Sequence, residues 1–408
     1  MALSIWLPPW WMPASFAGPS PRTSPADPMA YYPSAPIQHA PSFARKLKIV
    51  YVSAAVVAMS LQSVYIPQVG MAAFCYIGLL MLFPFMNSPV KGSIFNAVIF
   101  LFVGLVCTFL TAEDGATKAI LGTMVSATAL LLIPACFSND RGHLLTGLRC
   151  ALFAHAAMVL VQVLYFAAYG TYFDPLASLG LTDQSVTSKK GLVLSIGRIP
   201  RFAGLSNEPG THSTMIAALL AGEYALSRKL SKVSIFGILS AIATMSLGGM
   251  LFVAMFCGVV GIHQFITVRR WRIMIAAIGI AALSFLIYWA LLNLELRAQL
   301  YLEGTQHDQM MEWAFTYERI TFFGLSDSQI PSFFTFGYLG AGVDVMLRYG
   351  MWAVFVVATY LLTLPLLGIG LATVLLATKL KLSYPLFWAI LAVINLGGEH
   401  VRQQRRRP

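Results

Sequence analysis

Charge is what this chain has least of. Asp, Glu, Lys and Arg together make up 11% of the residues, against roughly a quarter in a soluble domain. The missing polar surface excludes an ordinary water-soluble enzyme. Carboxylates are scarcer than cations, 16 against 27, and no D-x-D or E-x-D sequence occurs, which removes the usual holder of a hard divalent ion. A P-loop, an H-E-x-x-H and a G-x-S-x-G are equally absent, disfavouring a nucleotide-driven pump or a membrane protease. The five cysteines, Cys75, Cys107, Cys136, Cys150 and Cys257, show no C-x-x-C or Cys/His spacing. They read as small buried hydrophobes rather than disulfides or zinc ligands.

What remains is apolar. The hydrophobic fraction is 58% and the mean hydropathy is +0.74, the profile of an all-α polytopic membrane protein. Residues 1–44 differ, with ten prolines among Ser and Ala, a composition expected for a disordered tail. No basic stretch precedes an apolar run there, so no cleavable leader is expected. Trp6, Trp10 and Trp11 suit a bilayer interface; an initiation site further along the chain is the other reading.

A span needs about 20 apolar residues, and that rule places helices near 47–64, 70–86, 93–111, 118–137, 146–168, 211–227, 232–247, 249–266, 273–293, 350–377 and 384–398. The expected count is thus about 11, within 10–12, in a membrane domain over 45–398. With a cytoplasmic N-terminus, fourteen Lys and Arg fall in inner segments, Arg141, Arg149, Arg228, Lys379 and Lys381 among them, and eight in the longer outer ones. The bias supports that orientation. Eleven crossings would leave the basic tail 399–408 outside with Arg402, Arg405, Arg406 and Arg407. A break at Pro365, Gly368 or Gly370 restores an even count. The net charge of +11 follows from this bias, with the tail meeting anionic lipid, and is not read as nucleic-acid binding.

Two connections, about 169–210 and 294–349, are too long for turns and lie on the outer face. The first ends in Arg201-Phe202-Ala203-Gly204-Leu205-Ser206-Asn207-Glu208-Pro209-Gly210-Thr211-His212, a polar cluster set against an apolar helix. Such a cluster beside lipid is a functional hypothesis by default. It resembles the R-x-x-G-x-x-x-E-P signature that precedes a membrane helix in the O-antigen polymerase and O-antigen ligase-like family of bacterial membrane glycosyltransferases. Gly342 to Gly350, with Asp344, Arg348 and Tyr349-Gly350, resembles that family's acidic residue and Y-G in the second loop. The His-Asn or Thr-Asp-Asn sequences common there in relatives are missing, which favours polymerase over ligase.

The resemblance implies a GT-C-like fold in the bacterial inner membrane and transfer of a glycan between undecaprenyl-pyrophosphate carriers. A chain-length regulator and a flippase are the implied protein partners. Such chemistry needs cations on the departing pyrophosphate and a base for the attacking hydroxyl. Arg201 is the candidate clamp, its guanidinium suited to phosphate oxygens; an interfacial anchor or a salt bridge to Glu208 is the alternative. Gly204 permits close backbone approach, and Arg319, Arg198, Lys190 and Lys189 add positive charge to the same face. Glu208 precedes Pro209, so it either caps the helix or acts as base. His212 is a second candidate base, or a structural helix-start histidine. Asp344 either binds an acceptor hydroxyl or caps its helix.

No cofactor and no metal are expected, since His307, Asp308 and Glu312 read as a polar helix face rather than a ligand set. Activity should therefore survive EDTA; complete loss with rescue by magnesium or manganese would overturn this.

Overall fold

The computed structural model describes residues 43–62, 64–66, 70–71, 73–86, 98–99, 101–102, 105–106, 114–181, 201–267, 310, 313–314, 321–325, 329–331 and 339–406. The expected span at 273–293, most of 93–111, and the tail 1–42 lie outside them. Apart from one antiparallel pair of two-residue strands, β1 (Tyr65–Ile66) and β2 (Gly70–Met71), the regular structure described is helical.

The chain begins with α1 (Phe43–Ser60), α2 (Ala73–Leu80) and a short 3-10 turn at Phe83–Phe85. The run expected at 118–137 is two helices, α3 (Asp114–Ala127) and α4 (Ala129–Phe137), interrupted at Thr128. The longest helix, α5 (Arg141–Tyr169), starts after Asp140 and stops at Gly170, whose φ of 67° forms a left-handed cap. A single turn, α6 (Pro175–Ser178), follows, its start capped by Asp174. Next come α7 (Pro209–Ser227), α8 (Lys232–Ala243) and α9 (Leu247–Thr267). Ser231 and Ser234 close a reciprocal capping box at the start of α8. Gly248 and Gly249 lie in the first turn of α9, and Thr244–Ser246 makes the reversal from α8, with Met245 at φ 51°.

The apolar run from 350 to 377 is broken at Pro365, one of the three positions offered for a break. It is a hairpin of α10 (Ala341–Thr363) and α11 (Leu366–Ala377), turned at Leu364-Pro365. Proline has no N–H to continue the first helix, and its fixed φ starts the second. The second long connection ends at Gly340, because residues 341–349 are already helical. Finally α12 (Pro385–Arg406) runs on through the basic segment expected as a separate tail.

Among the described residues, three helices are long and apolar enough to cross a membrane: Arg141–Tyr169, Gly248–Ile266 and Ala341–Thr363. Shorter apolar helices, such as Lys232–Ala243, Leu366–Ala377 and Pro385–Gly398, accompany them. Large apolar side chains point outward on the long ones, among them Phe153 and Leu164 on α5 and Phe355 and Leu362 on α10. An apolar exterior of this kind matches hydrocarbon rather than water.

Helix α7 is the axis of the bundle, packed by α5, α8, α9, α11 and α12. Its residues His212 to Ala225 are all buried. Glu223 is 1% exposed and pairs with Arg149 Nε on α5 at 2.8 Å. Its other oxygen accepts from the Ser234 hydroxyl on α8. One carboxylate thereby ties three helices at one end of the bundle. At the same end Arg228 donates to the carbonyl of Gly397 at 2.8 Å, where α12 crosses so close that a Cβ at Gly397 would overlap the Ala225 carbonyl. Lys48 on α1 bonds Asp140 at 2.9 Å there too, and His143 shares that carboxylate. The basic end of α12 therefore lies with Arg228 and not with the long connections. Cys75 and Cys136 are buried as expected, whereas Cys150 and Cys257 are exposed on helix surfaces.

Breaking a buried ion pair by removing one partner leaves an uncompensated charge and costs about 3–5 kcal/mol. Arg149→Met should lower the melting point of the purified protein sharply. Adding Glu223→Gln to that variant should restore part of the loss, and a double variant that melts below the single one would contradict the assignment.

Candidate functional site

The loop from Arg201 to Glu208 is shaped by one amide. Gln162, fully buried on α5, accepts from Gly204 N–H at 2.8 Å and donates to Gly204 O at 3.4 Å and Phe173 O at 3.1 Å. A side-chain amide thus stands in for a backbone partner, and the loop is pinned where no strand or helix would hold it. Phe202 stacks on Tyr172 and meets Phe166 edge-on. Gly204 has φ +59°, and a Cβ there would lie 2.8 Å from Nδ1 of His212 and 3.0 Å from Val159. The close approach that glycine permits is therefore to the protein's own imidazole.

His212 itself is completely enclosed. Its Nε2 faces Ser240 Oγ at 3.2 Å, and that hydroxyl donates to Gly237 O at 2.7 Å. The serine can only accept, so the ring proton sits on Nε2 and Nδ1 is a bare lone pair. His155, on the facing side of α5, repeats the pattern with Ser60 at 2.9 Å, and Ser60 donates to Val57 O. The two ring centroids are 6.0 Å apart. A base this enclosed has no direct contact with anything arriving from outside.

Glu208 occupies the N-cap of α7 in an extended conformation (φ −139°, ψ 149°), yet its side chain makes no capping hydrogen bond. Of the two roles open to it in the sequence, capping is the one this geometry does not use. Its carboxylate instead lies in the field of Lys381.

The turn Thr378–Tyr384 completes the site, and it corrects the expected topology. Lys379 and Lys381 were expected on the face opposite Glu208. The α10–α11 hairpin returns them to the same end: Lys379 N–H donates to Thr214 Oγ1 at 3.4 Å, and its Nζ would stand 3.9 Å from a Cβ at Gly210. Three side chains fix the turn's carbonyls, with Tyr76 and Ser126 donating to Ser383 O at 2.6 Å each and Trp388 to Leu382 O at 2.6 Å. Ala341 N–H, at the start of α10, donates to Thr378 O at 2.9 Å. Asp344 and Arg348, one turn apart on α10, therefore face the same turn, and both act electrostatically on Lys381.

Lys381 makes no hydrogen bond or ion pair among the described residues and lies 5.6 Å from the Tyr384 ring centroid. Burial pushes its ammonium below the usual lysine range; Asp344 opposes that shift, Arg348 adds to it and Glu208 again opposes it. The corner therefore holds a half-buried cation whose donors, and a carboxylate whose acceptors, are not taken up among the described residues.

An apolar groove opens beside this corner. Val345, Tyr349 and Leu382 line its near end, Tyr360 and Leu361 its far end, with α3, α11 and α12 as walls. From Val345 to Leu361 it follows α10.

Of the sequence candidates, Glu208 and Asp344 are thus brought together by Lys381, a residue the sequence reading had set elsewhere. Arg201 begins the same loop, and Gly204 and His212 form its buried footing. Lys189, Lys190, Arg198 and Arg319, like His307, Asp308 and Glu312, lie outside the described residues. Among those described, no three His, Cys, Asp or Glu side chains gather as metal ligands.

Gly204→Ala combines a left-handed backbone with a Cβ clash, an effect of about 1–2 kcal/mol. It should make the 201–208 loop a new proteolytic site in the purified protein; unchanged protection would contradict the packing described. Comparison with protein-family models, with curated proteins and with solved structures returned no match.

Proposed function

We propose that this chain is a multi-pass glycosyltransferase of the bacterial inner membrane that polymerises undecaprenyl-pyrophosphate-linked oligosaccharide repeat units. The observation that carries this reading is the shared corner of Lys381 and Glu208 at the end of a long apolar groove. The chemistry needs a diphosphate, a lipid tail and a sugar hydroxyl in one place, and these features match each in turn.

In the proposed reaction the isoprenoid tail lies along α10. The diphosphate takes the free donors of Lys381, together with Lys379 and Arg348, as charge-assisted hydrogen bonds. Arg201 approaches from the pinned loop, and Lys190, Arg198 and Arg319 draw the anion to this face. A hydroxyl of the second carrier-linked unit attacks the anomeric carbon of the first. The new glycosidic C–O bond forms as the bond to the diphosphate oxygen breaks. Glu208 takes the hydroxyl proton, and the leaving diphosphate keeps the electron pair, stabilised by the cations. Asp344 orients the acceptor or the lysine, and His212 supports Gly204 from beneath. Both termini are cytoplasmic in this scheme, because the α10–α11 hairpin and α12 return the chain to the Arg228 end. The reading assigns an even number of spans within the expected range of about 10–12, a GT-C-like arrangement, a chain-length regulator and a flippase as protein partners, and neither cofactor nor metal.

An O-antigen ligase, which would pass the glycan to lipid A core, uses the same corner. A transporter or flippase is the reading from another class, and one observation favours it: α10 is discontinuous at Gly350 (φ 79°, ψ −179°), as membrane helices are around transported substrates.

Reconstitution with lipid-linked repeat units, followed by sizing of the product, separates the three. Arg201→Ala should abolish polymer and leave single units on their carrier at unchanged protein level, and Glu208→Gln should slow the reaction at least about a hundredfold. Normal chain length in Arg201→Ala would sink the polymerase assignment. Repeat units trapped in the inner leaflet would indicate a flippase, and long carrier-linked polymer left unattached a ligase.

A further inference from the structure

The break in α10 is closed by a distant piece of chain. A helix with a left-handed residue inside it loses the backbone bonds that would span that point, and each orphaned group costs about 1–3 kcal/mol if left unmade. Residues 321–325 make them. Leu325 N–H donates to Leu347 O at 2.8 Å, Met351 N–H to Thr321 O at 3.0 Å and Trp352 N–H to Phe322 O at 3.4 Å.

Two glycines allow this contact. A Cβ on Gly350 would overlap the Phe322 carbonyl, and one on Gly324 would overlap the Arg348 carbonyl. Both also hold positive φ, 79° and 95°. Each glycine therefore interlocks with the backbone beside the other, and neither tolerates a side chain without parting the strap from the helix. The strap is weighted from behind by Met310, Ala314 and Leu325, which bury against Leu347.

The half-helix 341–349 is consequently tied at both ends, to Thr378 O at its start and to the strap at its finish. It carries Asp344 and Arg348. A slip of one residue in its register turns a helix by about 100°, enough to take both charges away from Lys381. We propose that Gly324 and Gly350 are positioning residues for the phosphate-binding corner, acting by clamping residues 341–349 so that Asp344 and Arg348 face Lys381. This inference rests on the reading of that corner as the diphosphate site.

A matched pair of probes tests it: farnesyl diphosphate, which presents tail and anion, and farnesol, which presents the tail alone. Equilibrium binding to the purified full-length protein in detergent is measured for the parent, Gly324→Ala, Gly350→Ala and Lys381→Met. The glycine variants should lose at least about tenfold more affinity for the diphosphate than for farnesol, whose tail keeps the far end of the groove at Tyr360 and Leu361, a difference that a general loss of structure would not produce. Parental diphosphate affinity in both glycine variants, or equal loss of both probes, overturns the clamp. Should Lys381→Met bind the diphosphate as the parent does, the corner reading fails and the clamp with it. Should Lys381→Met lose it while the glycine variants do not, only the clamp fails. A disulfide between Thr321→Cys and Met351→Cys keeps the strap docked without altering either glycine. The oxidised form should retain parental affinity for the diphosphate, and a tenfold fall there also counts against the proposal.

Discussion

A helix enclosed along its whole length must find a protein partner for every polar group it carries, because no water reaches it. From His212 to Ala225, where helix α7 is buried, side chains meet this constraint with the exception of His212 Nδ1. Ser213 bonds Pro209 O and Thr244, Thr214 accepts from Lys379 N–H, His212 donates to Ser240, Glu223 meets Arg149 and Ser234, and Tyr224 is shared by His263 and Gln264. Those partners lie on α5, α8, α9 and the turn before α12. Matching one helix thus fixes the placement of its neighbours, and the candidate site is where this matching runs out.

The change occurs at its N-terminal end. Below it, side-chain donors and acceptors other than His212 Nδ1 are paired within hydrogen-bond distance. At Glu208 and Lys381 opposite charges share a corner without touching through a direct ion pair. Fully paired groups would have been cheaper for stability, since an unpaired cation away from water is penalised. A site for an anion has the opposite requirement: its donors must be available, and nearby carboxylates must hold the cation charged without occupying it. The apolar groove alongside adds a demand for a ligand that is greasy at one end and anionic at the other.

Much of this was legible in the sequence, and the reasons for the rest are specific. Arg201 to His212 stood out because polar residues and Pro-Gly interrupt an apolar run, and the start of α7 falls at Pro209 as that pattern requires. The break at Pro365 was visible for a similar reason. Its consequence was not. Hydropathy measures how apolar a segment is but not whether it reverses, so Lys379 and Lys381 were placed on the wrong end of the bundle. The pairing of Glu223 with Arg149 was not legible, because the two are 74 residues apart in sequence. The enclosure of His212 was equally hidden, since it depends on Gln162 and Gly204, two residues without any motif linking them. Charge pairs and loop footings of this kind are settled by packing, which local pattern does not record.

The parallel course of α7 and α12 has a further consequence for how the protein is made. Arg228 and the Gly397 carbonyl that it caps are 169 residues apart, an interval of about 10–35 s at typical synthesis rates. The axial helix leaves the ribosome long before the helix that covers its last open side. Arg149, already synthesised with α5, is present to neutralise Glu223 throughout that wait, whereas the lysines that face Glu208 arrive only with the final hairpin. The corner is therefore the last part of the molecule to assemble, and a chain interrupted before residue 381 contains a paired scaffold with an incomplete site.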